Sequence, residues 1–208
     1  MFDNIWIDGK VDYTVPSATA TLSPAEPQCN GWYNSDVTVT LTAQDNYEVG
    51  TIYYSIDGGA WLTYTGPITI GIDGQHTVEY YAVDSVGNEG AHGSVSFKID
   101  KTAPTGSLTT PQAGYIYFFG RELMPRILVK DKALIIGGLT ATATASDSTS
   151  GVAYVTFSTG AGTGEDAVSP YEYNLPFYFF GADTLTVTVT DNACNTANIG
   201  SVDYFKIF

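Results

Sequence analysis

Basic side chains are scarce in this chain: 8 Lys plus Arg stand against 22 Asp plus Glu, a formal charge of −14. Such a surface repels a phosphate backbone, which excludes nucleic acid as a partner. Histidine is scarcer still, with His76 and His92 alone, and no Gly-x-Ser-x-Gly elbow, phosphate-cradling loop or His-Glu-x-x-His helix accompanies them. The chain is therefore read as non-enzymatic, with His76 a surface residue at the start of a strand. No apolar run approaches the roughly 18 residues that cross a bilayer, and Met1 is not followed by a basic segment and an apolar signal stretch, so no membrane insertion is expected. Two cysteines, Cys29 and Cys194, cannot build a disulfide-dense scaffold, and with two distant histidines they give no zinc spacing.

What is present points to strands. Thr, Val, Ile, Tyr and Phe abound, and 22 Gly and 9 Pro separate short apolar runs. Four segments recur in order: Asp12 to Pro16 as Asp100 to Pro104, Thr42 to Asp45 as Thr144 to Asp147, Asp84 to Asn88 as Asp191 to Asn195, and Phe97 to Ile99 as Phe205 to Ile207. Val37, Val39, Leu41 and Ala43 alternate with threonines, as do Leu139, Ala141, Ala143 and Ala145, and a period of two puts each apolar set on one buried face. Val78, Tyr80 and Ala82 correspond in the same way to Leu185, Val187 and Val189. The expected cores are Val37, Val39, Leu41, Tyr54, Val78 and Tyr80 in the first copy, and Ala141, Ala143, Val155, Leu185, Val187 and Val189 in the second. Each copy thus predicts about seven short, half-buried antiparallel strands with tight turns such as Asp57-Gly58-Gly59, hence all-β, two tandem immunoglobulin-like Greek-key β-sandwiches. The expected domains are 12–101 and 102–208, joined by a short linker at 100–104 with Pro104 starting the first strand of the second. Residues 1–11 read as the closing strand of a preceding β-domain, or else as a free strand pairing with the first domain or a neighbouring subunit.

Gly31-Trp32-Tyr33, Thr51 to Gly59, Tyr64-Thr65-Gly66-Pro67, His76-Thr77-Val78 and Phe97 to Pro104 resemble the Ig-like repeats of bacterial and archaeal secreted and surface proteins. Gly114 to Pro125, Pro170 to Tyr173 and Asp191-Asn192-Ala193 look like a related module of archaeal surface proteins. The resemblance implies spacers or adhesive and assembly units, often appended to catalytic domains, and an extracellular or cell-surface location. It departs at Cys194, where the loop pattern expects Gly, and at Cys29, which the repeat does not require.

Three sets of candidate site residues follow. Sandwich topology puts Asp45, Asp84 and Asn88 at the end where the first domain is entered, and Asp147, Asp191 and Asn195 at the entry end of the second, with Asp100 at the linker. These are hard oxygen donors of the kind calcium prefers, although Asp and Asn in loops ordinarily accept backbone N–H bonds. No other cofactor is implied. Trp61, Tyr64, Phe177 and Phe179 are candidates for a sugar-stacking or protein-contact patch, since consecutive aromatics in 177–180 cannot all face inward. Cys29 falls at the exit end of the first domain and Cys194 at the entry end of the second. A Cys29–Cys194 disulfide, a bond to a neighbouring subunit, or two buried thiols are the alternatives.

The leading functional expectation is a non-catalytic structural or adhesive module of a surface layer, stalk or filament, whose partners are other copies of itself or neighbouring surface-protein domains. Accessory domains of a secreted hydrolase, glycan binding, and a subunit that assembles by β-strand addition are the other readings.

Overall fold

The computed structural model describes residues 6–7, 10–125, 131–176 and 180–207, with strands and no helix among them. The chain divides into two compact units, Met1–Lys101 and Thr102–Phe208.

The first unit contains β1 (Trp6–Ile7), β2 (Lys10–Val11), β3 (Ser17–Ser23), β4 (Val37–Gln44), β5 (Val49–Ile56), β6 (Leu62–Thr63), β7 (Ile68–Ile70), β8 (Gly74–Asp84) and β9 (Gly93–Ile99). Two antiparallel sheets, ordered β3-β4-β7 and β6-β5-β8-β9, form the sandwich. Among the described residues of 1–11, β1 pairs with β2, Trp6 opposite Val11, in a two-stranded sheet. The core is Tyr33, Val37, Val39, Leu41, Ile70, Val78, Tyr80, Phe97 and Ile99. The predicted face of β4 is inward, and Tyr54 packs against the core while only partly buried. On the outer face of β3 and β4, hydroxyls pair across strands, as in Thr19 with Thr42 at 2.9 Å, so the exposed side is polar without being charged.

The second unit repeats this plan and enlarges it. It contains β10 (Thr105–Thr110), β11 (Tyr115–Phe118), β12 (Arg121–Pro125), β13 (Ala133–Ile136), β14 (Thr140–Ser146), β15 (Val152–Thr159), β16 (Gly162–Asp166), β17 (Tyr171–Asn174), β18 (Gly181–Asp191) and β19 (Thr196–Ile207). The sheets are β10-β14-β17 and β12-β11-β13-β19-β18-β15-β16. Pro104 lies just before β10, as Pro16 lies just before β3, and both are buried. The expectation of purely antiparallel strands fails here, because β13 runs parallel to β19 and β11 parallel to β13. In the first unit the same edge carries a single parallel bridge, Tyr33 to Ile99. The long insertion between β10 and β14 allows that bridge to grow into a strand and a hairpin. All six predicted core residues of this unit are buried.

Lys206 is fully buried, and its Nζ donates to the carbonyls of Leu175 (3.3 Å) and Pro176. Burial lowers its pKa. Lys98, its repeat counterpart, lies 4.7 Å from the Trp32 ring centroid as a cation–π contact.

His76 corrects the surface reading. It shares the inward phase of β8 with Val78, Tyr80 and Ala82 and is 7% exposed. Its Nδ1 meets Asp57 Oδ2 at 2.8 Å and its Nε2 meets the Ile72 carbonyl at 2.8 Å. An acceptor at each ring nitrogen calls for a proton on both, the imidazolium form. Burial opposes that charge, but the hydrogen bonds to Asp57 and Ile72 and the attraction of Asp57 outweigh it and raise the His76 pKa. Burial also opposes the Asp57 carboxylate, yet bonds from Thr77 N–H and His76, with the His76 charge, lower its pKa.

Two predictions follow from this packing. Val187→Ala, at a fully buried position, should cost about 1–3 kcal/mol in chemical denaturation through lost transfer energy and a residual cavity. The stability lost on His76→Gln should be largest between about pH 4 and 6.5, where neither partner's linkage is spent. It should shrink as pH rises through the raised His76 value, and as pH falls through the lowered Asp57 value. In proton NMR the His76 ring should titrate above the ordinary histidine midpoint, and Asp57→Asn should bring that midpoint down.

Candidate functional site

Three loops meet where the chain enters the first unit. β4 ends at Gln44, so Asp45 opens the following loop; β8 ends at Asp84; and Asp12 lies in the segment leading to β3. Each of these three aspartates offers a carboxylate oxygen within 4.8 Å of the other two. Asp84 is the most heavily used: Oδ1 accepts from Val86 N–H (2.9 Å) and Asn88 N–H (2.8 Å), and Oδ2 accepts from the Asn88 side-chain amide (2.7 Å). Burial works against its charge, but these bonds prevail and lower its pKa. The Asn88 amide also donates to the carbonyls of Asp12 and Thr14, both at 3.3 Å, which fastens the entering chain to the loop. Asp45 Oδ2 accepts from Tyr47 N–H (2.9 Å), Asp12 Oδ1 accepts from Thr14 N–H (2.9 Å), and the Asn46 amide lies against both Asp12 and Asp45.

The second unit repeats the lock. Asp191 Oδ1 accepts from Ala193 N–H and Asn195 N–H, each 2.8 Å, and Oδ2 accepts from the Asn195 amide at 2.9 Å. That amide also reaches the Thr102 carbonyl at 3.4 Å. Asp147 Oδ1 receives three backbone N–H groups, from Thr149, Ser150 and Gly151. Asp100 belongs to the first unit, fully buried, with its N–H donating to the Tyr33 carbonyl at 2.8 Å. Asp45 and Asp84, both expected at the entry end, meet there with Asp12, which the sequence singles out only through its alignment with Asp100. Asn88 and Asn195 differ from the expected oxygen donors in that their amide nitrogens tie the loop to the incoming chain.

The cysteines occupy two turns. Cys29 and Trp32 exchange backbone bonds of 3.2 and 2.7 Å around Asn30 (φ 49°) and Gly31 (φ 79°), the positive-φ pair of a tight reverse turn. Cys194 is exposed and left-handed, with φ 65°, where the repeat has Gly87 at φ 95°. A side chain at such a position costs roughly 1–2 kcal/mol relative to glycine.

Of the aromatic candidates, Trp61 is 42% exposed and stands edge-on to Tyr81 at 4.9 Å and to His92 at 5.2 Å. Tyr81 in turn stacks on Tyr53 (5.1 Å) and His92 (4.3 Å). Two tyrosine pairs explain this cluster: Tyr53 opposes Tyr81 on the outer face of β5 and β8, while Tyr54 opposes Tyr80 on the inner. Tyr64 is corrected from the patch to the core side, where it is half-buried against Tyr54 and its hydroxyl accepts from Leu41 N–H at 3.1 Å. Phe177 and Phe179 lie outside the described residues. Phe180, beside them, is 70% exposed and meets Phe205 edge-on at 5.8 Å.

Residues 29–96 match the family model of the chitobiase/beta-hexosaminidase C-terminal domain, about a third of the chain and most of the first unit. No curated protein matches the sequence. Among solved structures the chain is similar to the fibronectin(III)-like modules of Clostridium thermocellum CbhA, with 20% identity, 90% of this chain and 94% of that one covered, and a TM-score of 0.45. It is similar also to the D00-D0 domain of Intimin, with 14% identity, coverage of 89% and 99%, and a TM-score of 0.40. A third is the Bacteroides ovatus SGBP-B of a mixed-linkage glucan utilization locus, in complex with a mixed-linkage heptasaccharide, with 14% identity, coverage of 93% and 48%, and a TM-score of 0.31. At such identities and scores these likenesses carry no functional argument. The chain's own sheets and their order make it a pair of fibronectin- and immunoglobulin-like sandwiches.

Proposed function

We propose that the chain is a non-catalytic structural or adhesive module of an extracellular, cell-surface protein. The observation that carries this reading is the duplication of the Asp–Asn lock, in which Asp84 with Asn88 and Asp191 with Asn195 each secure the entering chain to their own sandwich. Repeated units secured at the point of entry suit a chain that spans distance and bears load, because the pull arrives at a fastened segment. The acidic surface favours a soluble exterior over nucleic acid. Immunogold labelling of intact cells with antibody to the chain should mark the exterior; labelling confined to the cytoplasm would overturn the reading.

As part of the same proposal, Cys29 and Cys194 form a disulfide that cross-links the two units, suited to an oxidising exterior. Proteolysis under non-reducing conditions, followed by mass spectrometry, should yield one linked peptide pair. Recovery of two free thiols would defeat the pairing, and a covalent dimer would move it to assembly between copies.

The ring cluster of Trp61, Tyr53, Tyr81 and His92 favours a second reading, an accessory module of a secreted hydrolase that contacts glycan. In gels cast with soluble polysaccharides, the protein should then be retarded and Trp61→Ala should not; equal mobility of the two would remove this reading.

A further inference from the structure

The entry end of the first unit concentrates charge that its hydrogen bonds do not balance. Asp12, Asp45 and Asp84 bring three carboxylates together, and none of the ion pairs among the described residues includes them. Backbone and amide donors serve Asp84 on both oxygens and Asp45 on Oδ2. They do not serve Asp12 Oδ2, which is closed off from solvent and has no hydrogen-bond partner, on a residue only 7% exposed. A buried, ionised oxygen without a donor is strongly unfavourable unless a cation faces it.

We propose that Asp12, Asp45 and Asp84 bind a calcium ion at the end of the first unit where the chain enters. The donors are all carboxylate oxygens, without nitrogen or sulfur, which selects a hard cation over zinc or copper. Oxygens within 4.8 Å of one another are spanned by one ion with bonds of about 2.4 Å. They come from three separate segments, the chain leading to β3, the loop after β4 and the end of β8, and calcium accepts such varied geometry where magnesium demands a near-ideal octahedron. Water completes the shell. The ion joins the incoming chain at Asp12 to the loops after β4 and β8, which adds a second fastening beside the Asn88 lock. This inference stands apart from the adhesive reading, since it rests on the geometry of one unit. The second copy of the repeat has aspartate at the same three positions, Asp100, Asp147 and Asp191, so the test must separate ions by site.

The full chain, treated with chelator and desalted, is titrated with calcium chloride in isothermal calorimetry and in thermal unfolding, beside Asp12→Asn. Wild type is expected to bind calcium and to unfold at higher temperature with it. Asp12→Asn is expected to bind one ion fewer, or to bind that ion at least about tenfold more weakly. In chelator the variant should be no less stable than wild type, because it loses uncompensated buried charge. Calcium titration of the wild type followed by amide NMR locates the ion even where the variant fails to fold. The N–H groups of Thr14, Tyr47 and Val86, which donate to the three carboxylates, should shift together. No binding, equal binding by wild type and variant, shifts that spare these three amides, or a response to magnesium alone would each overturn the proposal.

Discussion

The inward face of the long strand near the middle of each larger sheet is polar at both ends and apolar between them, and the rest of each unit is arranged around it. In β8 the sequence on that face is His76, Val78, Tyr80, Ala82, Asp84; in β18 it is Asp183, Leu185, Val187, Val189, Asp191. A period of two makes the five side chains of each set one row, so the three apolar members bury against the facing sheet and the polar ends arrive where the sandwich closes. Buried polar groups need partners there. His76 finds Asp57 and the Ile72 carbonyl; Asp183, only half-buried, accepts from the hydroxyl of the buried Tyr204 at 3.1 Å; and the buried Asp84 and Asp191 organise the loops that follow them.

The last of these links the core to the end that carries the candidate site. Because Asp84 closes the inward row of β8, its carboxylate is buried and must be satisfied by Val86, Asn88 and the Asn88 amide. Satisfying it curls the loop, and the curl aims the same amide at the incoming chain. Asp12 is thereby held beside Asp84. The acidic cluster is thus a consequence of strand phase combined with a short loop, and the repeat of both produces the same lock around Asp191 and Asn195.

Duplication did not keep the two units identical. Lys98 and Lys206 align in sequence, yet the strands carry them in opposite phases. Lys206 shares the inward row of Val202 and Tyr204 and sits opposite Gly181, where β9 sets Ile99 opposite Gly74, so its ammonium is sealed on two carbonyls while Lys98 faces outward against Trp32. The insertion between β10 and β14 adds three strands beside β19 and turns an edge into the interior of a seven-stranded sheet. An outward row on that sheet, with Phe118 and Phe205 exposed, is the apolar result.

The sequence by itself determined the two sandwiches and their inward faces, because apolar residues at period two leave one face to bury, and four segments repeated in order leave one way to divide the chain. His76 was legible by the same rule, since it shares the phase of Val78 and Tyr80; attention to its polarity alone put it on the surface. Asp12 was legible only through its alignment with Asp100. The tertiary structure alone decided which carboxylates converge, that the Asn88 and Asn195 amides reach the incoming chain, that Tyr64 turns toward the core while Trp61 meets Tyr81, and that β13 lies parallel to β19. Those outcomes depend on contacts between residues far apart in the chain, and the strand alternation that sets the fold leaves them open, because a loop's course is fixed by its partners in space and not by its own residues.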